Sequence, residues 1–151
     1  MPFDTMNGDG VRCTLFVSGC TLNCPHCHNK EAQNFRYGQE YTDETENMIL
    51  NALDNEYVSG LTLTGGDPLE PKNFPNILNL LKKIRSKYNS EKDIWLWSGR
   101  TLEEIKNTPQ SEVLNYIDVL VDGRYIHDLR DESLQYRGSS NQRILYKDID
   151  F

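Results

Sequence analysis

Segments typical of β-strands alternate with segments typical of α-helices along most of this chain. Four runs rich in β-branched, aromatic and other apolar residues indicate strands, at 11–17, 61–64, 93–97 and 117–121. Helices that connect successive strands pack on the faces of a mostly parallel sheet, so this order predicts an α/β fold. Four strands are too few for a closed barrel, which takes about 250 residues. We therefore predict that residues 1–151 form one domain, a partial, open βα barrel.

Capping signals and apolar spacing locate the helices between the strands. Asp43 with Glu46 fits a capping box for the first helix. That helix presents one apolar face, made of Ile49, Leu50, Leu53 and Tyr57. A second helix is predicted to begin near 73–75, and Thr101 with Glu104 fits another capping box. Beyond the fourth strand the chain is polar.

Composition and charge exclude several classes of protein. The formal net charge is −7, which argues against broad nucleic-acid binding because that function requires basic surface. The first residues lack the basic and apolar regions of a signal peptide, and no apolar run approaches the roughly 18 residues of a membrane span. We therefore expect a cytoplasmic protein with reduced thiols and no membrane partner.

All four cysteines of the chain lie between Cys13 and Cys27. Cys20, Cys24 and Cys27 form a C-x3-C-x2-C run directly after the first predicted strand. Cysteine thiolates hold iron–sulfur clusters, usually one thiolate per iron. Three thiolates on a four-iron cluster leave one iron open, as reactive metal sites require. Cys13 shares a strand face with Leu15, so it is predicted to be a buried core residue rather than a ligand.

Two other chemistries fit part of the cysteine pattern. Residues 24–27, Cys-Pro-His-Cys, match the C-x-x-C of disulfide oxidoreductases, but that interpretation leaves Cys20 unexplained. A structural zinc site would use cysteines from this cluster, including Cys13, or His28. Such sites usually draw on two separated ligand pairs, and this sequence has no second pair. Both alternatives stay open at the level of the sequence.

Short segments with glycine or polar residues follow the predicted strands. They are the cysteine run, Gly65-Gly66-Asp67, Trp97-Ser98-Gly99 and Asp122-Gly123. Sites in parallel α/β folds lie at the carboxyl ends of strands, so we expect these segments to face one site. The glycine pair either forms a simple turn or lets the backbone approach a ligand closely. His127 is expected to be a surface residue near the end of a strand.

The cysteine run resembles the C-x3-C-x-φ-C signature of radical S-adenosylmethionine (SAM) enzymes, with His26 at the aromatic φ position. In that superfamily SAM fills the open iron through its amine and carboxylate. The glycine pair resembles the superfamily's GGE element, with Asp67 in place of Glu. The resemblance implies that Asp67 accepts a hydrogen bond from the SAM ammonium group and that His26 lies beside the adenine.

Five segments, in order, extend the resemblance over nearly the whole chain: 7–20, 64–69, 93–99, 118–123 and 137–142. They are similar to the radical SAM activases of glycyl-radical enzymes, in particular the activating proteins of anaerobic ribonucleoside-triphosphate reductases. The family's fold implies a partial, open (βα) barrel of the radical SAM type.

The same resemblance implies the site, the cofactors and the partners. The metal ligands are Cys20, Cys24 and Cys27, which hold one [4Fe–4S] cluster. The SAM contacts are His26, Cys27, His28, Gly65, Gly66 and Asp67. The partners are the large subunit of the reductase, on which a glycyl radical forms, and a flavodoxin-like electron donor. A radical SAM enzyme acting on a small molecule is the alternative, although so short a barrel has little chain left to enclose one.

Overall fold

The computed structural model describes residues 1–27 and 30–151. Its strands are β1 (Val11–Val17), β2 (Val58–Gly65), β3 (Asp93–Trp97), β4 (Val119–Asp122) and β5 (Arg143–Tyr146). Its α-helices are α1 (Asp43–Leu53), α2 (Phe74–Tyr88) and α3 (Leu102–Lys106), and short 3₁₀ helices cover Glu31–Gln33, Pro109–Asn115 and His127–Leu129. The strands form one sheet in the order β1-β2-β3-β4-β5. The first four are parallel and β5 is antiparallel to β4, so the mostly parallel α/β sheet is confirmed, and it is open.

One face of the sheet forms the hydrophobic core with the helices. Leu61 and Leu63 of β2 are fully buried and pack in one cluster with Leu53 of α1 and Leu81 of α2. Cys13 of β1 belongs to the same cluster and is 3% exposed, as its place in the strand alternation predicted. Its thiol therefore lies among the core side chains of the helical face.

The opposite face carries a buried arginine near the amino ends of the strands. Arg12 is completely buried; its Nε donates to Thr62 Oγ1 at 2.8 Å and its Nη2 donates to the Leu61 carbonyl at 2.9 Å. The same Nη2 lies 2.6 Å from an Asp93 carboxylate oxygen. The first residues of the chain cover this region, because Asp4 forms an antiparallel bridge with Arg12. The carboxyl ends of the strands lie at the other end of the sheet.

The helix starts follow the predicted signals with one correction. The capping box of Thr101 and Glu104 is present at α3. At α1 the N-cap is Thr42, which accepts a hydrogen bond from the Thr45 amide, so the predicted cap at Asp43 was one residue late. Because α1 ends at Leu53, Tyr57 is not on its apolar face and is 76% exposed.

No helix in the described part of the chain is long and apolar enough to cross a membrane.

The fifth strand was not predicted. β5 has only four residues, Arg-Ile-Leu-Tyr, and it follows a polar stretch, so its periodicity is too short to identify it. It forms because the outer side of β4 offers unpaired backbone groups, which β5 pairs from Arg143 to Tyr146. The polar stretch before it is thereby drawn to the carboxyl end of β4.

Candidate functional site

A cavity of about 210 Å³ lies at the carboxyl ends of the parallel strands. All three cysteines of the C-x3-C-x2-C run line it. Its walls also include residues from each predicted strand end, namely Thr64, Gly65, Gly66, Asp67, Trp97, Ser98, Gly99 and Gly123. The predicted convergence of these segments is therefore confirmed. A larger cavity, of about 440 Å³, is lined by residues of β1 and α2, but no cysteine lines it.

Backbone hydrogen bonds fix the entry of the cysteine segment into the site. The Gly19 amide donates to the Ala32 carbonyl at 2.6 Å, and the Cys20 amide donates to the Gln33 carbonyl at 3.1 Å. The Asp67 amide donates in turn to the Gly19 carbonyl at 2.9 Å. The first ligand candidate is thus held between the end of β2 and the 3₁₀ helix that follows the cysteines.

Turns bring the other two cysteines to the same cavity. The Cys27 amide donates to the Cys24 carbonyl at 3.2 Å, which closes a tight turn between them. Asn23 and His26 both have positive φ, at 50° and 59°. Such left-handed residues reverse the chain locally, and Asn and His adopt this conformation more readily than most.

The surroundings of Cys20 favour the protonated thiol until a cation arrives. Burial raises the pKa of the Cys20 thiol, and the nearby carboxylates of Asp67 and Glu70 raise it further. Metal binding requires the thiolate, so loading the site must release this proton. Burial also raises the pKa of Cys13, which keeps that core thiol unreactive.

The glycine pair is required by the packing of the cysteine segment. Gly65 has a φ of 106°, a conformation that favours glycine. A Cβ on Gly66 would lie 2.6 Å from the Gly19 carbonyl oxygen and 2.8 Å from the Ala32 carbonyl oxygen. Gly66 therefore lines the cavity while the cysteine segment passes directly against it. The predicted approach of a ligand to Gly66 stays a prediction, but the backbone contact is sufficient reason for glycine there.

The Asp67 carboxylate is enclosed by protein donors. It is completely buried; the Leu69 and Gly99 amides donate to it at 2.9 and 3.0 Å, and the Ser98 hydroxyl donates at 3.0 Å. Arg100 Nη1 lies 2.9 Å from the same carboxylate. Burial raises the pKa of Asp67, and these partners act against the shift. The contact between Asp67 and the SAM ammonium group stays a prediction; the carboxylate's main observed role is to join the ends of β2 and β3.

Three residues that the sequence reasoning did not select hold the same segment. Glu70 accepts hydrogen bonds from Thr21, and Asn73 Nδ2 donates to the Ser18 carbonyl at 2.9 Å. Arg100 Nη2 donates to Glu70 at 3.2 Å. Asp67, Glu70 and Asn73 follow one another at intervals of three residues, so polar side chains recurring after the glycine pair were the available signal.

Aromatic side chains form another part of the cavity wall. Trp97 and Tyr136 line the cavity, and Trp97 Nε1 donates to the Tyr136 carbonyl at 2.9 Å. The Tyr136 ring meets the Trp95 ring edge-on, with centroids 5.2 Å apart. Tyr125 lines the cavity as well. Three aromatic rings therefore contribute apolar surface to the cavity.

The segment at 137–142 closes the site beside β4. Gln142 Oε1 accepts hydrogen bonds from the Gly138 and Ser139 amides, at 2.8 and 3.2 Å. Gln142 Nε2 donates to the Gly123 carbonyl at 3.0 Å. Its polar groups thus organise the loop itself and fasten it to the strand end. Asp122 likewise serves the fold, since Arg143 and the Leu102 amide engage its carboxylate.

His127 packs on the cysteine segment. Its ring stacks on His26, with centroids 4.1 Å apart and planes 27° apart. The hydroxyl of Tyr125 lies 3.0 Å from His127 Nδ1. The expectation of a simple surface residue was therefore incomplete, because His127 is half-buried and lies against the loop. His28, the other histidine of the predicted SAM site, lies outside the described residues.

We expect His127→Ala to lower the free energy of unfolding modestly without preventing the protein from binding the predicted iron–sulfur cluster. Losing one ring contact between aromatic side chains costs about 1 kcal/mol. Urea denaturation of the loaded protein measures this loss, and His127→Phe, which keeps a ring, serves as the control. Iron content as low as in a cysteine variant would contradict the expectation.

Comparisons with known proteins agree with this geometry. The family model described as "4Fe-4S single cluster domain" matches residues 6–145. An Escherichia coli K12 protein named anaerobic ribonucleoside-triphosphate reductase-activating protein is 48% identical over 145 residues, 95% of this chain and 93% of its own. Proteins of the same name from Pasteurella multocida and phage T4 are each 46% identical, over 149 and 143 residues. These alignments cover 97% and 95% of this chain, and 93% and 88% of the relatives.

The chain belongs to the anaerobic ribonucleoside-triphosphate reductase-activating protein family. In this member of the activating-protein family, the region that the 4Fe-4S domain model matches includes every residue of the cavity, from Cys20 to Gln142. The family model is that of a 4Fe-4S domain, and three cysteines around one cavity fit such a cluster, because soft thiolates suit iron–sulfur centres.

The two alternatives from the sequence fit this activating-protein fold less well. Cys13 lies in the core on the helical face, so it does not complete a four-ligand zinc site with the cysteine run. His28, the other ligand considered for a zinc site, lies outside the described residues. Cys24 and Cys27 are free thiols, and Cys20, which a C-x-x-C enzyme would not need, lines the same cavity.

Proposed function

We propose that this protein is a radical SAM activase that generates a glycyl radical on an anaerobic ribonucleoside-triphosphate reductase. One observation carries the proposal. Three cysteines converge on a cavity at the carboxyl end of the sheet, in a chain whose family relatives are named for activating that reductase. The proposal treats 1–151 as one domain, a partial, open barrel of the radical SAM type.

In this proposal Cys20, Cys24 and Cys27 hold a [4Fe–4S] cluster, and the fourth iron is left for SAM. The SAM contacts are those that the family resemblance implies: His26, Cys27, His28, Gly65, Gly66 and Asp67. When bound, the cluster would supply the one-electron chemistry that converts SAM to methionine and a 5′-deoxyadenosyl radical, the species that would take a hydrogen atom from the Cα of a glycine. A flavodoxin-like protein, or an equivalent donor, supplies that electron to the cluster.

The residues of the chain have clear roles in such a reaction. The loops after β2, β3 and β4 line the cavity together with the cysteines, and a Cβ at Gly99 would meet the Leu22 side chain, which lines the same cavity. Trp97 and Tyr136 keep water from one side of the site, where a reactive radical must not meet solvent.

The size of the cavity favours a protein substrate. Its volume of about 210 Å³ is below the roughly 300–1,000 Å³ of pockets that enclose small ligands. With SAM bound, a cavity of this volume has little room left to enclose a second small molecule, which supports a substrate presented by a partner. A loop of the reductase that carries the target glycine would provide that cover, since glycine has no side chain to block the approach to its Cα.

The decisive experiment is an anaerobic activation assay. The reconstituted protein is combined with SAM, a reductant and the reductase, and the electron spin resonance spectrum is recorded. We expect a glycyl-radical doublet that requires SAM and disappears when the target glycine of the reductase is replaced by Ala. Turnover of SAM on a small purine precursor, with no radical on the reductase, would contradict the proposal and support the small-molecule alternative.

A further inference from the structure

A buried glutamate grips the chain directly beside the first ligand cysteine. The Glu70 side chain is 3% exposed. Its Oε1 accepts a hydrogen bond from the Thr21 amide at 2.6 Å and another from the Thr21 hydroxyl at 2.8 Å. Thr21 follows Cys20 in the sequence, so Glu70 fixes the backbone on the far side of that cysteine. The Asp67 amide fixes the near side through the Gly19 carbonyl.

Arg100 compensates the negative charge of the two buried carboxylates, Asp67 and Glu70. Asp67 and Glu70 are two buried carboxylates on the same short connection after β2, and an unpaired buried charge is strongly unfavourable. Arg100 lies between them, with Nη1 2.9 Å from Asp67 and Nη2 3.2 Å from Glu70. The Arg100 side chain is itself 17% exposed. Burial alone would raise the pKa of Glu70, but the hydrogen bonds from Thr21 and the contact with Arg100 hold it below its usual range.

We propose that Glu70 and Arg100 are positioning residues that present Cys20 to the cluster. We call them, together with Thr21, the Glu70–Arg100 clamp. The clamp connects three separate pieces of the chain: the cysteine segment, the connection after β2 and the end of β3. This inference rests on the proposed function only in taking the cluster as the group that the cysteines bind.

The clamp acts by ordering the ligand segment before iron binds. A free loop must lose backbone entropy when it takes up a metal, and each residue fixed beforehand reduces that loss. Cys20 is the member of the run that follows β1 most closely in the sequence, so a fixed Cys20 gives the cluster a defined first attachment. Variants that lose the contacts of the clamp should therefore release iron from the cluster faster, even when the fold is intact.

The test compares Glu70→Ala and Glu70→Gln with the unaltered full-length protein. Two quantities are measured: amide hydrogen exchange over residues 19–22, and the rate at which a chelator removes iron from the loaded protein. Glu70→Ala should speed both by roughly tenfold to a hundredfold, as expected for losing hydrogen bonds to a charged acceptor. Glu70→Gln keeps an acceptor oxygen for Thr21, so it should restore most of the protection from exchange.

Arg85→Ala is the matched control. Arg85 forms an ion pair of 2.6 Å with Asp118, and its side chain is 19% exposed, close to that of Arg100, but it lies at the amino end of the sheet. This variant should lose stability without changing exchange at residues 19–22. The proposal would be overturned if Glu70→Ala and Arg85→Ala changed amide exchange over residues 19–22 and the rate of iron release to the same extent.

Two further arms keep the test decisive. If Glu70→Ala does not fold, Arg100→Lys replaces it, because a single ammonium group cannot bridge both carboxylates in the way a guanidinium does. Unchanged iron release in a folded Arg100→Lys protein would then count against the clamp. Neither measurement uses SAM or the reductase. A wild-type protein that holds its cluster but makes no glycyl radical would defeat the proposed function and leave the clamp standing.

Discussion

Replacing Cys20, Cys24 or Cys27 with Ala should remove the iron and sulfide from the reconstituted protein, whereas Cys13→Ala should keep both. The three line one cavity, whereas Cys13 is 3% exposed and lies in the hydrophobic core on the helical face of the sheet. Removing even a group that supports a metal ligand lowers affinity by roughly 10–100-fold, so losing a ligand should cost at least as much. Iron and sulfide analysis, with the spin resonance spectrum of the reduced protein, measures the outcome.

The Cys13 variant also controls for general damage to the fold. Shortening one buried side chain should lower the free energy of unfolding by about 1 kcal/mol, in the range of the smallest core truncations. Its cluster spectrum should match that of the unaltered protein. Full cluster content in Cys20→Ala would refute the ligand assignment and return attention to the C-x-x-C pair of Cys24 and Cys27.

Gly66→Val should cost both stability and cluster content. Its Cβ would approach two backbone carbonyl oxygens, of Gly19 and Ala32, to 2.6 and 2.8 Å. Backbone cannot move aside as a flexible side chain can, so the cysteine segment itself must shift. We expect the free energy of unfolding to fall by about 3 kcal/mol, the upper part of the range for overpacked sites. Loss of SAM binding should follow from the displaced segment.

Gly99→Ala is the matched control for this prediction. Gly99 lines the same cavity, but its added Cβ would meet the end of the Leu22 side chain, at 2.4 Å from Cδ1. Leu22 can rotate away, so cluster content should stay near that of the unaltered protein. Urea denaturation, iron analysis and equilibrium dialysis with SAM measure the three effects. A Gly66→Val protein that kept its stability and its cluster and lost only SAM affinity would contradict this prediction. In that case the new valine side chain would have to point toward the ligand and not toward the cysteine segment.

The parts of the fold that were predictable depend on short-range pattern. β1 alternates apolar residues over seven positions, and the cysteine run is contiguous, so each could be identified within its own segment. The convergence at the carboxyl ends followed from the geometry common to parallel sheets. For the same reason the buried position of Cys13 could be predicted from its strand neighbours.

The parts that were missed depend on contacts between distant segments. β5 is a strand because β4 pairs with it, and its own four residues carry too little periodicity. The contact between Glu70 and Arg100 and the stacking of His127 on His26 join residues whose proximity only the folded sheet creates. No local pattern distinguishes Arg100 from a solvent-exposed arginine. Polar networks of this kind are therefore the least predictable part of such a site.

The Glu70–Arg100 clamp can form only after Arg100 has been synthesised, which is late in translation. The cysteines emerge early, but Arg100 lies 80 residues after Cys20 and His127 lies later still. At about 5–20 residues per second, the ligand segment would wait roughly 4–16 seconds before Arg100 is even synthesised. A nascent chain thus displays three unanchored thiols during that interval, open to oxidation or to capture of the wrong metal. Cluster delivery to this protein is accordingly expected after translation is complete.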